Sequence, residues 1–523
     1  MSVLEAPVTA VPLGPQTRWT NLGDLIDRTA DLSRPALIDL STPTPRQYSH
    51  AEVDGLANGV ARFLTDRGLK RGDRVAILSL NRAEYLISFL GIMRAGFVAV
   101  PVNVKLPQET VDYVLADADA HFAFVDKGGR AFVEGKLPFA EFDDAGETGF
   151  AAVIKPTTFE TVAMNDTDIG QMLYTSGSTG KPKGVPLSHR GQLWALFMRT
   201  QNGKTQPTER VMIAQPLFHM NGLFSAKSAF ATTASIVLMP GFDVRPYVKA
   251  ISDWKVTALG SVPTMFARIV KDADYVRTLD TTSLKRIMMG SAPVTLALFE
   301  RVKELFPNAV IALGFGTTEA GPAIFGPHPD GRPTPPGSLG YPVPGSEVKL
   351  IEASDFPDGS QEGVLMMRNP SLMYGYHGLP AQTAKALRDG WYYSGDVLRR
   401  DKDGFYYFVG RADDMFVCSG ENIYPVEVEK MLERHADVQQ ASVVPLPDEE
   451  RGQMPVAFIV ARPGAHPTYG ELKTFSLANG PAYQHPRRVE FVDDLPWAGT
   501  NKVDRKALIA RARELEASGG WSK

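Results

Sequence analysis

The chain of 523 residues carries one cysteine, Cys418. A lone cysteine closes no internal disulfide and excludes a multi-cysteine metal cluster within one chain, so a reducing, cytoplasmic setting is expected. No His, Asp or Cys grouping has the spacing of a zinc site. Long apolar runs are lacking as well. No stretch reaches the ~18–20 apolar residues that span a bilayer, and Met1 to Thr20 shows no basic segment followed by an apolar one. Neither export nor stable membrane insertion is expected. Charge of one sign is also missing, since 55 Lys and Arg face 59 Asp and Glu for a formal net charge of −4. That balance offers no general attraction to nucleic acid or anionic lipid, so a small anionic substrate needs a local positive site. No fixed-period repeat is evident.

What is present is ordinary globular usage, 44% hydrophobic and 22% charged. At this length it is enough for roughly two to four folding units. Ser49 and Glu52 have capping-box spacing, and Leu56, Val60, Phe63 and Leu64 recur at helical intervals until Gly68. A strand over 74–80, a helix over 83–95 and a strand over 97–101 follow, and apolar strands recur over 211–214, 236–239 and 309–313. This alternation predicts an α/β domain with layered, largely parallel sheets and helices. Beyond about Arg411 the pattern changes to a helix over 425–435, a strand over 456–460 and a last helix over 504–516. The division expected is a large domain over 1–410, a short polar hinge over 411–414 and a smaller, mobile α+β domain over 415–523.

The densest chemical signal is Tyr174-Thr175-Ser176-Gly177-Ser178-Thr179-Gly180-Lys181-Pro182-Lys183-Gly184. Glycines let backbone N–H groups approach phosphate oxygens, hydroxyls donate further bonds, and lysines supply charge. The run is not a Walker loop, because Pro182 follows Gly180-Lys181 where a Ser or Thr would stand.

Further motifs follow in order. They are Pro216-Leu217-Phe218-His219-Met220-Asn221-Gly222, Gly290-Ser291-Ala292-Pro293, Gly314-Phe315-Gly316-Thr317-Thr318-Glu319 and Tyr393-Ser394-Gly395-Asp396. Gly410-Arg411, Gly420-Glu421-Asn422-Ile423-Tyr424-Pro425 and Lys502-Val503-Asp504-Arg505 complete the set. With these, the chain from about residue 20 to 510 resembles the acyl-adenylate-forming superfamily, similar to the 4-coumarate, benzoate and fatty-acid CoA ligases. The resemblance implies ATP, Mg²⁺ and CoA as co-substrates of a small carboxylic acid. It implies that Thr175 and Glu319 assist ATP and Mg²⁺, that Phe315 lies beside adenine and that Thr318 faces the α-phosphate. Ser176, Gly177, Ser178, Thr179, Gly180, Lys181, Lys183, Ser291, Ala292, Pro293, Gly314, Gly316 and Thr317 complete the implied nucleotide site. Asp396 is implied to accept the ribose hydroxyls, with Arg411 in support.

The resemblance makes Lys502 the adenylation lysine, carried on the small domain, although Asn501 stands where the family usually has Gly. Asp413 matches the residue about which the small domain turns between half-reactions. The loop Ser419, Gly420 and Glu421 would then reach the site and shape the thiol tunnel. Ser419 and Gln484 replace residues common there. His219 matches the gate between acyl pocket and tunnel. The pocket implied is Met220, Asn221, Ser225, Gly290, Gly314, Pro322 and Ala323, whose small side chains leave room for a ring. Lys227, two residues beyond Ser225, is expected either to pair with an acidic group of the substrate or to snorkel at the surface. An aryl or medium-sized acyl group is favoured. The alternative to CoA is the phosphopantetheine arm of a carrier protein. The chain is expected to act as a monomer or homodimer.

Overall fold

The computed structural model describes residues 19–175, 181–203, 206–498 and 502–522. The expected first helix forms over His50–Asp66, with both halves of its capping box closed: Glu52 N donates to Ser49 Oγ at 3.2 Å and Ser49 N to Glu52 Oε2 at 2.7 Å. The next elements are the strand Arg74–Leu78, the helix Ala83–Arg94 and the strand Val98–Val102, displaced from expectation by no more than the usual fraying of element ends.

Two sheets dominate. One orders Val310–Gly314, Arg286–Gly290, Ala258–Ser261, Arg210–Ile213, Ser235–Leu238, Pro35–Asp39 and Arg46–Ser49, parallel except for the last strand. The other orders Phe139–Glu141, Ala120–Val125, Arg74–Leu78, Val98–Val102, Ile169–Thr175 and Lys183–Ser188, again with only the last antiparallel. Central strands such as Arg74–Leu78 and Val98–Val102 are apolar on both faces, as covered parallel strands require. Val75 and Ile77 enter the central core with Leu37, Ile236 and Trp194, whereas the alternating Ala76 and Leu78 pack outward against Val111 and Val114. Ile38 likewise turns to a third cluster, under the helices Val244–Asp253 and Pro263–Lys271. The result is a stack of helix, sheet, helix, sheet and helix layers.

A third sheet was not foreseen in the sequence pattern. It is antiparallel and joins Glu347–Asp355, Gln361–Arg368, Trp391–Arg400, Leu387–Arg388 and Tyr406–Arg411. Its outer strand alternates polar and apolar residues only as far as Leu350, and the register shifts between Ile351 and Ser354, so the period-two signal breaks. Past Arg411 comes a smaller unit. Its mostly antiparallel sheet of Glu421–Ile423, Phe416–Cys418, Gly452–Ala461, Val438–Asp448 and Arg488–Phe491 is covered by the helices Pro425–Leu432 and Arg505–Ser518. Among the described residues, no helix is long and apolar enough to cross a membrane.

Candidate active site

In the parallel sheets, the carboxyl ends of the strands open on one edge, where open α/β sheets place their ligands. Ile169–Thr175 ends there on Thr175, Arg286–Gly290 on Gly290, and Val310–Gly314 on Gly314. Gly290 and Gly314 are direct neighbours, and a Cβ on Gly290 would lie 2.6 Å from Gly314 O, so only glycine allows the two strand ends to meet this closely.

Two buried polar atoms at this edge lack a hydrogen-bond partner among the described residues. One is Thr175 Oγ1 and the other His219 Nε2. Burying such groups unsatisfied costs about 1–3 kcal/mol each, a cost that a bound ligand removes. His219 precedes the helix Met220–Ala231, its ring edge-on to Phe218 at 4.6 Å. Burial, with the Lys502 charge nearby, lowers its pKa to about 4, so the imidazole is neutral at physiological pH.

Glu319 is 8% exposed and accepts a hydrogen bond from Tyr376 Oη at 2.8 Å through Oε1, while Oε2 has no hydrogen-bond partner among the described residues. Lys183 lies 4.1 Å from the centroid of that tyrosine ring, and Lys181 lies 5.0 Å from the ring of Tyr113. Thr317 Oγ1 is used locally, accepting from Ala320 N at 2.9 Å. Thr318 and Gly316 belong to the same turn, where Gly316 packs on Pro322. Phe315 stands edge-on to Phe325 at 5.7 Å and is only partly buried.

Asp396 is 6% exposed, and Arg411 donates to its Oδ1 at 3.0 Å. Burial raises its pKa to about 6 against the pull of Arg411. Arg411 also donates through Nε to Asp413 Oδ1 at 2.9 Å, so the residue expected at the hinge is tied to the residue expected at the ribose.

Lys502 arrives from the small unit, held by Ala498 N donating to its carbonyl at 2.8 Å and by the bridge between Trp497 and Val503. The residue as a whole is exposed, while desolvation by the surrounding protein lowers its pKa and Asp396 opposes that shift. Asp396, Arg411 and His219 each interact electrostatically with it. Residues far apart in the chain therefore meet in one crevice between the two units.

The chain belongs to the AMP-binding enzyme family. Its sequence matches that family over residues 27–377 and the AMP-binding enzyme C-terminal domain over residues 427–502. It is 33% identical to a fatty acid–[acyl-carrier-protein] ligase, ScoC, of Streptomyces coeruleorubidus, over 89% of this chain and 92% of that one. It is 32% identical to a feruloyl-CoA synthase of Amycolatopsis sp, over 87% and 92%. Among solved structures, the anthranilate CoA ligase AuaEII in complex with anthranoyl-AMP superposes with a TM-score of 0.84 at 29% identity, covering 95% of this chain and 98% of that one.

In this AMP-binding enzyme the residues expected at the acyl pocket begin on the helix Met220–Ala231. Only Asn221 and Ser225 are not fully buried there, and four-residue spacing puts them on one face. Asn221 Nδ2 donates to Ser291 Oγ at 3.2 Å, joining that face to the turn after Gly290, where Ser291 adopts φ +65°. Ala292 and Pro293 continue this turn, Ala323 is buried and Pro322 partly so. Ser176, Gly177, Ser178, Thr179 and Gly180 lie outside the described residues. Ser419, Gly420 and Glu421 are brought to no member of the crevice. They are exposed at the tip of the hairpin pairing Cys418 with Glu421, where positive φ at Ser419 and Gly420 makes a two-residue turn. Tyr376 was missed, since no spacing rule points from its segment to Glu319.

Lys227 differs from both expectations. It is neither at the surface nor on the face of Asn221 and Ser225, because two residues beyond Ser225 is about 200° around a helix. It is 1% exposed, and its Nζ donates to Gln171 Oε1 at 3.0 Å and Gln192 Oε1 at 2.8 Å. Burial lowers its pKa to about 7. An unfolded lysine holds its proton to about 10.4, so between these values the unfolded chain binds more protons and stability rises with pH. Denaturant unfolding of Lys227→Met should lack this rise, the two proteins diverging by at most about 1.4 kcal/mol per pH unit. Parallel pH profiles would show that Lys227 does not titrate in this way.

Proposed function

We propose that this AMP-binding enzyme is an AMP-forming acid:CoA ligase for an aryl or medium-sized carboxylic acid. The carboxylate oxygen attacks the α-phosphorus of ATP, the bond to the bridging oxygen breaks, and pyrophosphate leaves. The thiol sulfur of CoA then attacks the acyl carbonyl, its proton is lost, and AMP departs. The observation carrying this reading is Lys502 in one crevice with Asp396, Arg411 and His219. Two anions must be brought together for the first step, and a cation between them lowers that cost and the barrier alike.

Asp396, ionised above a pKa of about 6, accepts the ribose hydroxyls and Arg411 holds it in place. Phe315 covers the adenine, and Thr318 faces the α-phosphate. Neutral His219 gates the passage between acid and thiol. Thr175 Oγ1 and the free Glu319 oxygen suit a hard cation, and they would hold Mg²⁺, which neutralises phosphate charge. The chain divides at 1–410 and 415–523 about a hinge at 411–414. Turning about Asp413 brings Ser419, Gly420 and Glu421 to the thiol path. Cys418, reduced and buried, fits a cytoplasmic enzyme.

Asn221 and Ser225 support the acyl assignment, as polar groups on a narrow face suited to a substituted ring. A carrier-protein thiol is the second reading, supported by the likeness to ScoC. A panel of benzoates, cinnamates, short dicarboxylates and fatty acids, assayed for AMP release with CoA and with a holo-carrier protein, tests both. Release with benzoates or cinnamates and CoA is expected. Absence of acid-dependent exchange of pyrophosphate into ATP would end the ligase reading.

A further inference from the structure

The orientation that presents Lys502 is held by contacts remote from the nucleotide. Thr295 caps the large-domain helix Leu296–Leu305, its Oγ1 accepting from Leu298 N at 3.3 Å. The same hydroxyl donates across the domain junction to Glu433 Oε2. Glu433 directly follows the small-domain helix Pro425–Leu432, and its other oxygen accepts from Ala441 N at 3.1 Å. A carboxylate of one domain thus sits at the positive end of a helix of the other, where anions are favoured. Nearby, Arg301 donates to Gln439 O at 2.6 Å and Lys271 to Asp493 O at 2.9 Å. Arg268 lies 5.1 Å from the ring of Trp497, which bridges to Val503 beside Lys502.

Glu433 is 5% exposed, and burial raises its pKa to about 7 although Thr295, Ala441 N–H and Arg301 all favour the charged form. An apolar residue would cost less at such a position. What the carboxylate adds is a directional bond that exists only while the domains are docked this way.

We propose that Thr295 and Glu433 form an interdomain latch that positions Lys502 for adenylation and must open before the thiol step. This rests on the ligase reading above. Neither residue touches substrate, so both are positioning residues. Any bond made in one orientation alone shifts the population toward it.

Helix capping and latching can be separated at one position. Thr295→Asn keeps the cap acceptor and supplies an N–H for Glu433, whereas Thr295→Asp keeps the cap but sets a carboxylate against Glu433. Acid-dependent pyrophosphate exchange should fall about tenfold in the Asp variant and stay near wild type in the Asn variant. Thioester formation from supplied acyl-adenylate should be unchanged or faster in both. Adding Glu433→Gln to Thr295→Asp removes the repulsion, restores a donor and should recover the exchange rate. Equal behaviour of Asp and Asn, equal loss in both half-reactions, or no recovery in the double variant would overturn the latch. Wild-type enzyme without acid-dependent exchange would instead remove the ligase reading on which it stands.

Discussion

Lys502→Ala should slow acid-dependent pyrophosphate exchange on the order of 10²–10³-fold, about 2.7–4 kcal/mol of transition-state stabilisation. Thioester formation from supplied acyl-adenylate should be little changed. The asymmetry follows from position. Lys502 enters the crevice from the small domain beside Asp396 and His219, where, in the proposed reaction, charge gathers as carboxylate meets α-phosphate. In the second step the adenylate is already made, and this cation has no equivalent charge to offset. The low dielectric around Lys502 strengthens its contribution and also explains its lowered pKa. Measuring the two half-reactions separately checks the assignment, and equal losses in both would refute it. Lys506, on the following helix, is the control. Lys506→Ala should leave both steps within about twofold, as surface substitutions usually do.

Asp413→Pro should give the reverse pattern. Adenylation in the docked orientation is expected within about tenfold of wild type, while thioester formation falls by on the order of 10²-fold or more. Proline fixes φ near −65° and removes one of the two soft torsions at this residue. Asp413 is exposed and donates no hydrogen bond from its backbone among the described residues, so the ring disturbs little packing. The cost in the docked state is the loss of its two bonds from Arg411, at 2.9 and 3.2 Å, and Asp413→Ala controls for that loss. Stopped-flow measurement of acyl transfer, with acyl-adenylate preloaded, reads the affected step directly. Normal transfer in the proline variant would place the turning point elsewhere.

Much of the proposed site was legible in the sequence because its residues lie in short local motifs. Gly314-Phe315-Gly316-Thr317-Thr318-Glu319 and Tyr393-Ser394-Gly395-Asp396 can be read without a fold, since each turn and its carboxylate are neighbours in the chain. The capping box at Ser49 and the parallel strands were equally visible, because period and cap are local properties. The antiparallel sheet from Glu347 onward was not, because a register shift interrupts its alternation.

Long-range pairings stayed hidden for a different reason. Tyr376 reaches Glu319 across 57 positions, Lys227 reaches Gln171 across 56, and Thr295 reaches Glu433 across 138. No periodicity encodes such partners, and a lysine in an apolar helix reads the same whether it snorkels or is buried among amides.

The sequence by itself determined the motifs of this protein: a glycine- and hydroxyl-rich run with two lysines, the Thr318-Glu319 pair, the Tyr393-Ser394-Gly395-Asp396 turn and a distant Lys502, each specified by residue type and close spacing. Tertiary structure alone decided where that lysine stands, that Thr175 Oγ1 and His219 Nε2 are buried without a partner among the described residues, and that Lys227 is buried against Gln171 and Gln192. Residue identity sets which bonds a side chain is able to make. Packing sets which partner, and how much water, it meets.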